Sequence, residues 1–546
     1  MASTHTVHNQ AAPREGLNEY LVNRPLAEGV TTFGAGWATA ELTATGELVG
    51  TAGFQHDAEL ANTVEPRLLT FDRWGNRLDE VEYHPAYHSI IGSAVAAGAH
   101  TAAWADPRPG AHVARAAQFM LFAQIEPGHA CPVSMTHAVV PALQQFATAE
   151  LRDSWLPRLL AREYDPVLRA GKRSALFGMA MTEKQGGSDV RANTTIAVPL
   201  GDGEYLLRGH KWFCSAPMSD GFLVLAQAPG GLSCFLLPRI LPDGRRNPFA
   251  IQRLKDKLGN RANASSEIEL DATHAWLVGE EGRGVRTIIE MVNQTRLDCL
   301  LGSTAGMRQS TAEAIWHAQH RSAFGALLVH QPAMTQVLAD LAVETEAATL
   351  ASLRIAAAYD ETAPATDEPF RRLATAVLKY WVCKRGPGHA YEALECLGGN
   401  GYTEAFPLAR RYREQPVMAV WEGSGNVIAL DTLRALAREP ESLDAYVDEV
   451  RVASGADRRL DAFVDHTVAL ARRCAADPAS AHAQSSARAL TEALAVALQC
   501  SLLLRHAPSA VADAFLATRT EGARGFLYGA GQITGAAEIV ERHAGF

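Results

Sequence analysis

The chain has no CxxC pair among its eight cysteines, and none of them stands at metal-ligand spacing to a histidine. Zinc-ribbon and thioredoxin-like chemistry are thereby excluded, no metal is expected, and the thiols read as buried and free. No run of about eighteen uncharged apolar residues is present, as a membrane span would need, and the polar stretch Met1 to Arg14 lacks an apolar leader core. A cytoplasmic protein with no membrane partner is the expectation. There is no basic surplus either: 50 Lys and Arg against 60 Asp and Glu give a net charge of −10, which repels polyanions at long range. Internal repeats and low-complexity tracts are missing as well. What is present is 546 residues, 47% hydrophobic and 20% charged, enough to bury two or more cores.

Residues 85–180 are rich in Ala and Leu at helical spacing and end in the apolar run Ser174 to Met181. The period then changes. Phe222 to Ala228 and Leu232 to Leu237 are strand-like runs joined by Pro229-Gly230-Gly231, a hairpin signal, and Ser266, Ile268 and Leu270 alternate with polar neighbours. Long Ala-rich stretches return from about residue 285, with Thr362 to Pro369 and Gly386-Pro387-Gly388 reading as loops between bundle helices. Beyond Glu439-Pro440 a further helical segment carries Leu490, Leu494, Leu498 and Leu502 on one face. The expected fold class is α+β, mostly α: a helical domain over 1–180 with an N-terminal extension, a small β domain over 181–285, a four-helix bundle over 286–437 and a helical extension over 438–546.

Five motifs carry the chemistry. Met179-Ala-Met-Thr-Glu-Lys-Gln-Gly-Gly-Ser-Asp189 sets hydroxyls and glycines in a loop between helix and sheet, suited to an anionic or heteroaromatic ligand; alone it is equally an ordinary capped turn. Lys211-Trp-Phe-Cys-Ser215 places two aromatic rings beside a hydroxyl, which suits the face of a planar cofactor or a core aromatic pair. Arg321-Ser-Ala-Phe-Gly325 with Gln331 offers a guanidinium fork for a pyrophosphate, or a solvated arginine. Leu397-Gly-Gly-Asn-Gly-Tyr402 permits close approach of a ligand where a helix ends, or merely stops the helix. Trp421-Glu-Gly-Ser-Gly-Asn426 sets a carboxylate between an indole and a tight turn, where an apolar neighbour would raise its pKa toward general-base duty; an exposed turn glutamate is the bland reading.

In this order the five resemble the flavin-binding signatures of the acyl-CoA dehydrogenase superfamily over residues 85–437. His5-Thr-Val-His-Asn-Gln10, Thr182 to Asp189, Arg253-Leu-Lys-Asp-Lys-Leu-Gly-Asn260, Trp421 to Asn426 and the long C-terminal extension are similar to its AidB-type branch. The resemblance implies helices, a central β domain and a four-helix bundle, a homotetramer, and FAD at subunit contacts. It implies that Met179, Met181, Thr182 and Ser188 contact the flavin, with Trp212, Phe213 and Ser215 on its other side. Arg321 and Gln331 would meet the pyrophosphate of a neighbouring subunit's FAD, Gly399 and Asn400 would form the ADP-side turn, and Trp421, Gly423, Ser424 and Asn426 the flavin-holding turn. Glu422 matches the catalytic base, taking the α-proton of an acyl-CoA as the β-hydride passes to the flavin. The motifs specify neither acyl chain nor electron acceptor.

Two features set this chain apart. Many dehydrogenases carry a hydroxyl residue after the Trp-aliphatic pair near the flavin's reactive nitrogen, where this chain has Cys214, a poorer donor that implies slow hydride transfer. The branch itself implies an alternative function, protection of double-stranded DNA from alkylation through the C-terminal domain with only weak dehydrogenation. From residue 440 onward, however, ten arginines and no lysine face thirteen acidic residues, so the domain lacks a basic surplus unless Arg458, Arg459, Arg472 and Arg473 segregate on one face. Gly529-Ala-Gly-Gln-Ile-Thr-Gly535 has no strand context and is not a nucleotide loop.

Overall fold

The computed structural model describes residues 4–520 and 525–545. The chain forms two compact units, each assembled from separate stretches. One comprises residues 53–107 and 125–298; the other comprises residues up to 52, 108–124 and 299 onward. The N-terminal helical stretch contributes residues to both units. The local reason is visible at Asp360, whose carboxylate accepts from the backbone N–H groups of Gly110 and His112, both at 2.7 Å, tying the start of the helix Ala111–Ala123 to the end of a bundle helix.

The sheet unit opens with an antiparallel hairpin, β1 (Arg67–Phe71) and β2 (Arg77–Glu82), followed by helices that include Ala130–Phe146. Its main sheet has seven strands: β3 (Phe177–Ala180), β4 (Ile196–Gly201), β5 (Glu204–Ser215), β6 (Gly221–Ala228), β7 (Gly231–Pro238), β8 (Ala250–Leu254) and β9 (Ser265–Val278). β6 pairs antiparallel with β7 through the Pro229-Gly230 turn, and because it also bridges to β4 the path β6–β4–β5–β9–β7 closes on itself. Phe222 to Ala226 are fully buried, which is why β6 reads as a continuous apolar run without alternation. Part of the run ending the N-terminal helical stretch is a strand: β3 lies parallel to β6 with all its residues buried, and a short apolar run does not by itself distinguish helix from strand.

The bundle unit is built on the helices Gly284–His320, which enters it at Cys299, Pro332–Ala357, Asp367–Glu395, Pro407–Met418 and Gly425–Arg438. Gly386-Pro387-Gly388 is not a loop; it lies inside the helix Asp367–Glu395. A Cβ on Gly386 would stand 2.3 Å from Gln415 Oε1 and 2.7 Å from Ser303 Oγ, so the glycine lets three helices meet, and that packing overrides its low helix propensity. The C-terminal helices follow, from Glu441–Arg451 to Ala536–Ala544. Among the described residues, Ala481–His506 is the one helix long and apolar enough to cross a membrane, but most of that stretch is buried, with Leu490, Leu494, Leu498 and Leu502 inside. All eight cysteines are buried, and none is paired in a disulfide.

Candidate functional site

The residues singled out from the sequence fall into two sets, one on each unit. On the sheet unit, β3 delivers Met179, which is buried, and the chain then leaves the sheet with Met181 and Thr182 half-buried and Ser188 exposed. The loop closes tightly on itself: a Cβ at Gly187 would lie 2.3 Å from Thr182 Oγ1. It is joined to β5 by the Trp212 N–H donating to Thr182 O at 2.8 Å. Beneath it sits a buried ion pair. Lys211 Nζ donates to Glu183 Oε1 at 2.9 Å and to Leu225 O at 2.7 Å, while Thr194 and Thr195 donate backbone and hydroxyl protons to the same carboxylate. Burial alone would raise the Glu183 pKa, but the donors from Thr194, Thr195 and Lys211 outweigh it and hold the carboxyl far below its ordinary range. The two flavin-type motifs are thus cross-linked from within by a pair to which the sequence reading gave no role. The visible signal was Lys211, a lysine at an inward position of an alternating strand.

Trp212 and Phe213 stay partly open, Phe213 at 50% exposure. Three cations surround the indole: Lys255 Nζ lies 3.3 Å from the ring centroid, the Arg253 guanidinium 5.7 Å and Lys184 Nζ 5.9 Å. Cys214 corrects an expectation. Its side chain is wholly buried, and burial pushes its thiol up to about 12, so it is a neutral core group and not a donor to an exposed site. The hydroxyl available at this end of β5 is that of Ser215, half-buried, with Oγ 3.2 Å from Ser265 Oγ. A bulge between Lys211 and Cys214 interrupts the alternation of β5, and Cys214 lies on its buried side.

On the bundle unit, Trp421 packs against Cys299, Cys383 and Met418. The next residue, Glu422, is half-buried and has φ of 56°, a left-handed backbone that non-glycine residues adopt at a cost of about 1–3 kcal/mol. The conformation is held by Lys379, 1% exposed, whose Nζ donates to Trp421 O at 2.8 Å and Gly423 O at 2.6 Å. Ser424 caps the helix Gly425–Arg438, and Ser424 and Asn426 are exposed at its start, where unpaired N–H groups favour an anion or a polar ligand edge. Arg321 and Gln331 bracket a small hairpin, Ser322–Ala323 with Ala326–Leu327: Arg321 Nη1 donates to Asn9 O, and Gln331 Nε2 to Ala323 O at 3.0 Å. Gly399 and Asn400 lie in a 3-10 turn after the helix Asp367–Glu395, and a side chain at Gly398 or Gly399 would meet nothing within 4 Å.

These residues fit FAD. The Trp421 Nε1 proton is buried without a hydrogen-bond partner among the described residues, the turn leaves open space at Gly398 and Gly399, hydroxyls and two aromatic rings are presented together on the sheet unit, and cations surround the Trp212 ring. A family model described as the adaptive response protein AidB N-terminal domain matches residues 9–166; those for the acyl-CoA dehydrogenase middle and C-terminal domains match 178–273 and 282–437. The putative acyl-CoA dehydrogenase AidB of Escherichia coli is 48% identical over 464 residues, 84% of this chain and 86% of that protein. Acyl-CoA dehydrogenase family member 11 of Caenorhabditis elegans is 30% identical over 76% of this chain and 69% of its own length. Among solved structures, Caenorhabditis elegans ACDH-11 in complex with C11-CoA superposes with a TM-score of 0.85 at 25% identity, covering 100% of this chain and 93% of that one. The chain described as Bd2924 apo-form gives 0.82 at 26%, covering 91% and 99%. The chain belongs to the acyl-CoA dehydrogenase family, as an oxidoreductase with FAD as its cofactor. Its N-terminal segment and its identity to the Escherichia coli protein put it in the AidB-type branch.

Proposed function

We propose that the protein oxidises a CoA thioester of an acyl chain across its α,β carbons, with Glu422 as the base. The observation that carries this reading is the Glu422 turn: a half-buried glutamate on a left-handed backbone whose flanking carbonyls, those of Trp421 and Gly423, are both held by the buried Lys379 ammonium. Bound FAD supplies the hydride acceptor. Glu422 takes the α-proton onto its carboxylate, the C–H electron pair becomes the new C–C double bond, and the β-hydrogen departs with its pair as hydride. Met179, Met181, Thr182, Ser188, Trp212, Phe213 and Ser215 would hold the ring system, Trp421, Gly423, Ser424 and Asn426 would form the flavin-holding turn, and Gly399 and Asn400 the ADP-side turn. Arg321 and Gln331 would serve the pyrophosphate of a neighbouring subunit's FAD in a homotetramer. That a relative was crystallised with C11-CoA supports an acyl-CoA as the substrate class.

The DNA-protecting alternative finds less support. Of the C-terminal arginines, Arg451, Arg459, Arg505, Arg519 and Arg542 are spent on carboxylates, Asp465, Asp457 with Asp513, Glu449, Asp340 with Glu344, and Glu28 with Glu346 respectively. Arg488 bonds Tyr380, and Arg458, Arg472 and Arg473 face solvent; Arg524 lies outside the described residues. Anaerobic titration of the flavin-loaded protein with a panel of acyl-CoAs tests the proposal. Stoichiometric bleaching of the flavin by at least one member is expected, and an oxidised spectrum unmoved by every member would refute it.

A further inference from the structure

The His5-Thr-Val-His-Asn-Gln10 motif has no part in the chemistry described above, yet its asparagine is bonded to the residue after Arg321. Asn9 Oδ1 accepts from Ser322 N at 2.7 Å, and Asn9 Nδ2 donates to Ser322 O at 2.9 Å. This reciprocal pair lets the side-chain amide act as a strand partner for one residue of the hairpin. The backbone carbonyl of Asn9 then accepts from Arg321 Nη1. Three residues on, Ala12 O accepts from Trp316 Nε1 at 2.7 Å, so the segment is pinned along the last turns of the helix that delivers Arg321.

Two properties suit asparagine to the position. Its amide carries donor and acceptor in one plane, which Asp and Ala lack, and its backbone sits at φ 54°, a left-handed conformation that Asn tolerates better than most residues. A guanidinium has five N–H donors. Here Asn9 O takes one, and the rest have no hydrogen-bond partner among the described residues. Arg321 is therefore held by one corner with its other donors left for a ligand. Because an arginine side chain loses rotamer freedom when it binds, fixing it beforehand raises affinity without any new ligand contact.

We infer that Asn9 is a positioning residue for the cofactor: the N-terminal strap clamps the Arg321 hairpin and aims its guanidinium at the FAD pyrophosphate. The inference rests on the reading of Arg321 as a pyrophosphate contact. It makes the amino-terminal segment part of the FAD site at one remove.

The test is FAD affinity, read by flavin fluorescence on titrating the deflavinated full-length protein, for Asn9→Gly, Arg321→Ala and the double variant. Glycine keeps the left-handed backbone, so the loss is confined to the amide and the melting temperature of the apoprotein stays unchanged. Losing hydrogen bonds that aim the arginine should weaken FAD binding about 3- to 10-fold, and losing the guanidinium itself about 10- to 100-fold. The double variant should match Arg321→Ala alone, since Asn9 acts only through that side chain. Wild-type affinity in Asn9→Gly beside a weakened Arg321→Ala would overturn the inference, as would losses that add in the double variant. If Arg321→Ala itself binds FAD normally, the pyrophosphate reading falls and takes the positioning role with it.

Discussion

Lys379 brackets Glu422: the buried ammonium donates to the carbonyls of the residues before and after it, Trp421 at 2.8 Å and Gly423 at 2.6 Å. The same charge acts on Cys383, whose thiol burial pushes up to about 11 while Lys379 opposes the shift. A carboxylate on a left-handed residue would otherwise relax with its turn, so the lysine fixes the direction from which Glu422 meets a substrate carbon. Misplacing a catalytic group by about 1 Å can cost about 100-fold in rate.

Lys379→Met should therefore retain FAD but slow acyl-CoA-dependent flavin reduction by about 10- to 100-fold, while leaving two part-buried carbonyls without their donor at a cost of about 1 kcal/mol of stability. In a Glu422→Gln background the same change should cause no further loss of rate. Stopped-flow reduction of the single and double variants checks this, and an equal loss in both backgrounds would assign Lys379 to general stability instead.

A second prediction concerns acid. Glu344 is buried between Arg385 and Arg519, which donate to it at 2.9 and 2.8 Å. Burial would raise its carboxyl, but Arg385 and Arg519 win and lower it to about 2. The folded value lies below the unfolded one of about 4.3, so the stability that Glu344 contributes is complete above that unfolded value and is lost as pH falls toward 2, on the order of 3 kcal/mol in all. Glu344→Gln should thus lower stability at pH 7 and flatten the pH dependence between about 4 and 2. Urea unfolding at a series of pH values reads both; a variant with the wild-type slope in that window would place the acid sensitivity elsewhere.

The C-terminal helical extension should bind duplex DNA weakly and with a shallow salt slope, because five of its ten arginines are paired with carboxylates within the protein and few phosphates would be neutralised. Fluorescence anisotropy across salt concentrations measures this. Submicromolar affinity at physiological salt, abolished by charge reversal at Arg458, Arg472 and Arg473, would instead favour the DNA-protecting function.

Much of this was legible in the sequence where local signals suffice. The Pro229-Gly230 hairpin, the apolar stripe of Ala481–His506 and the helix stop before Gly398 all depend on nearest neighbours, and they appear as read. The failures share a cause. Gly386 and Pro387 look like a loop until Gln415 and Ser303, distant in sequence, need the space beside Gly386. Cys214 looks like a site residue until a bulge turns it inward. The buried charges Lys211 and Lys379 carry no local mark of their partners, Glu183 in one case and two backbone carbonyls in the other. The site's candidate contacts could be named from motifs, but the groups that hold them in place could not.

The measurement that bears most directly on the proposed chemistry is the rate of flavin reduction by acyl-CoA in Glu422→Gln under anaerobic single-turnover conditions. Glutamine keeps the shape and hydrogen-bonding capacity of the side chain while removing the proton acceptor, and a general base contributes about 10²–10⁴-fold. The variant should hold FAD, melt like the wild type and reduce its flavin at least about 100-fold more slowly. If the wild-type protein is reduced and the variant is reduced as fast, Glu422 is a turn residue and the account of the active site is wrong.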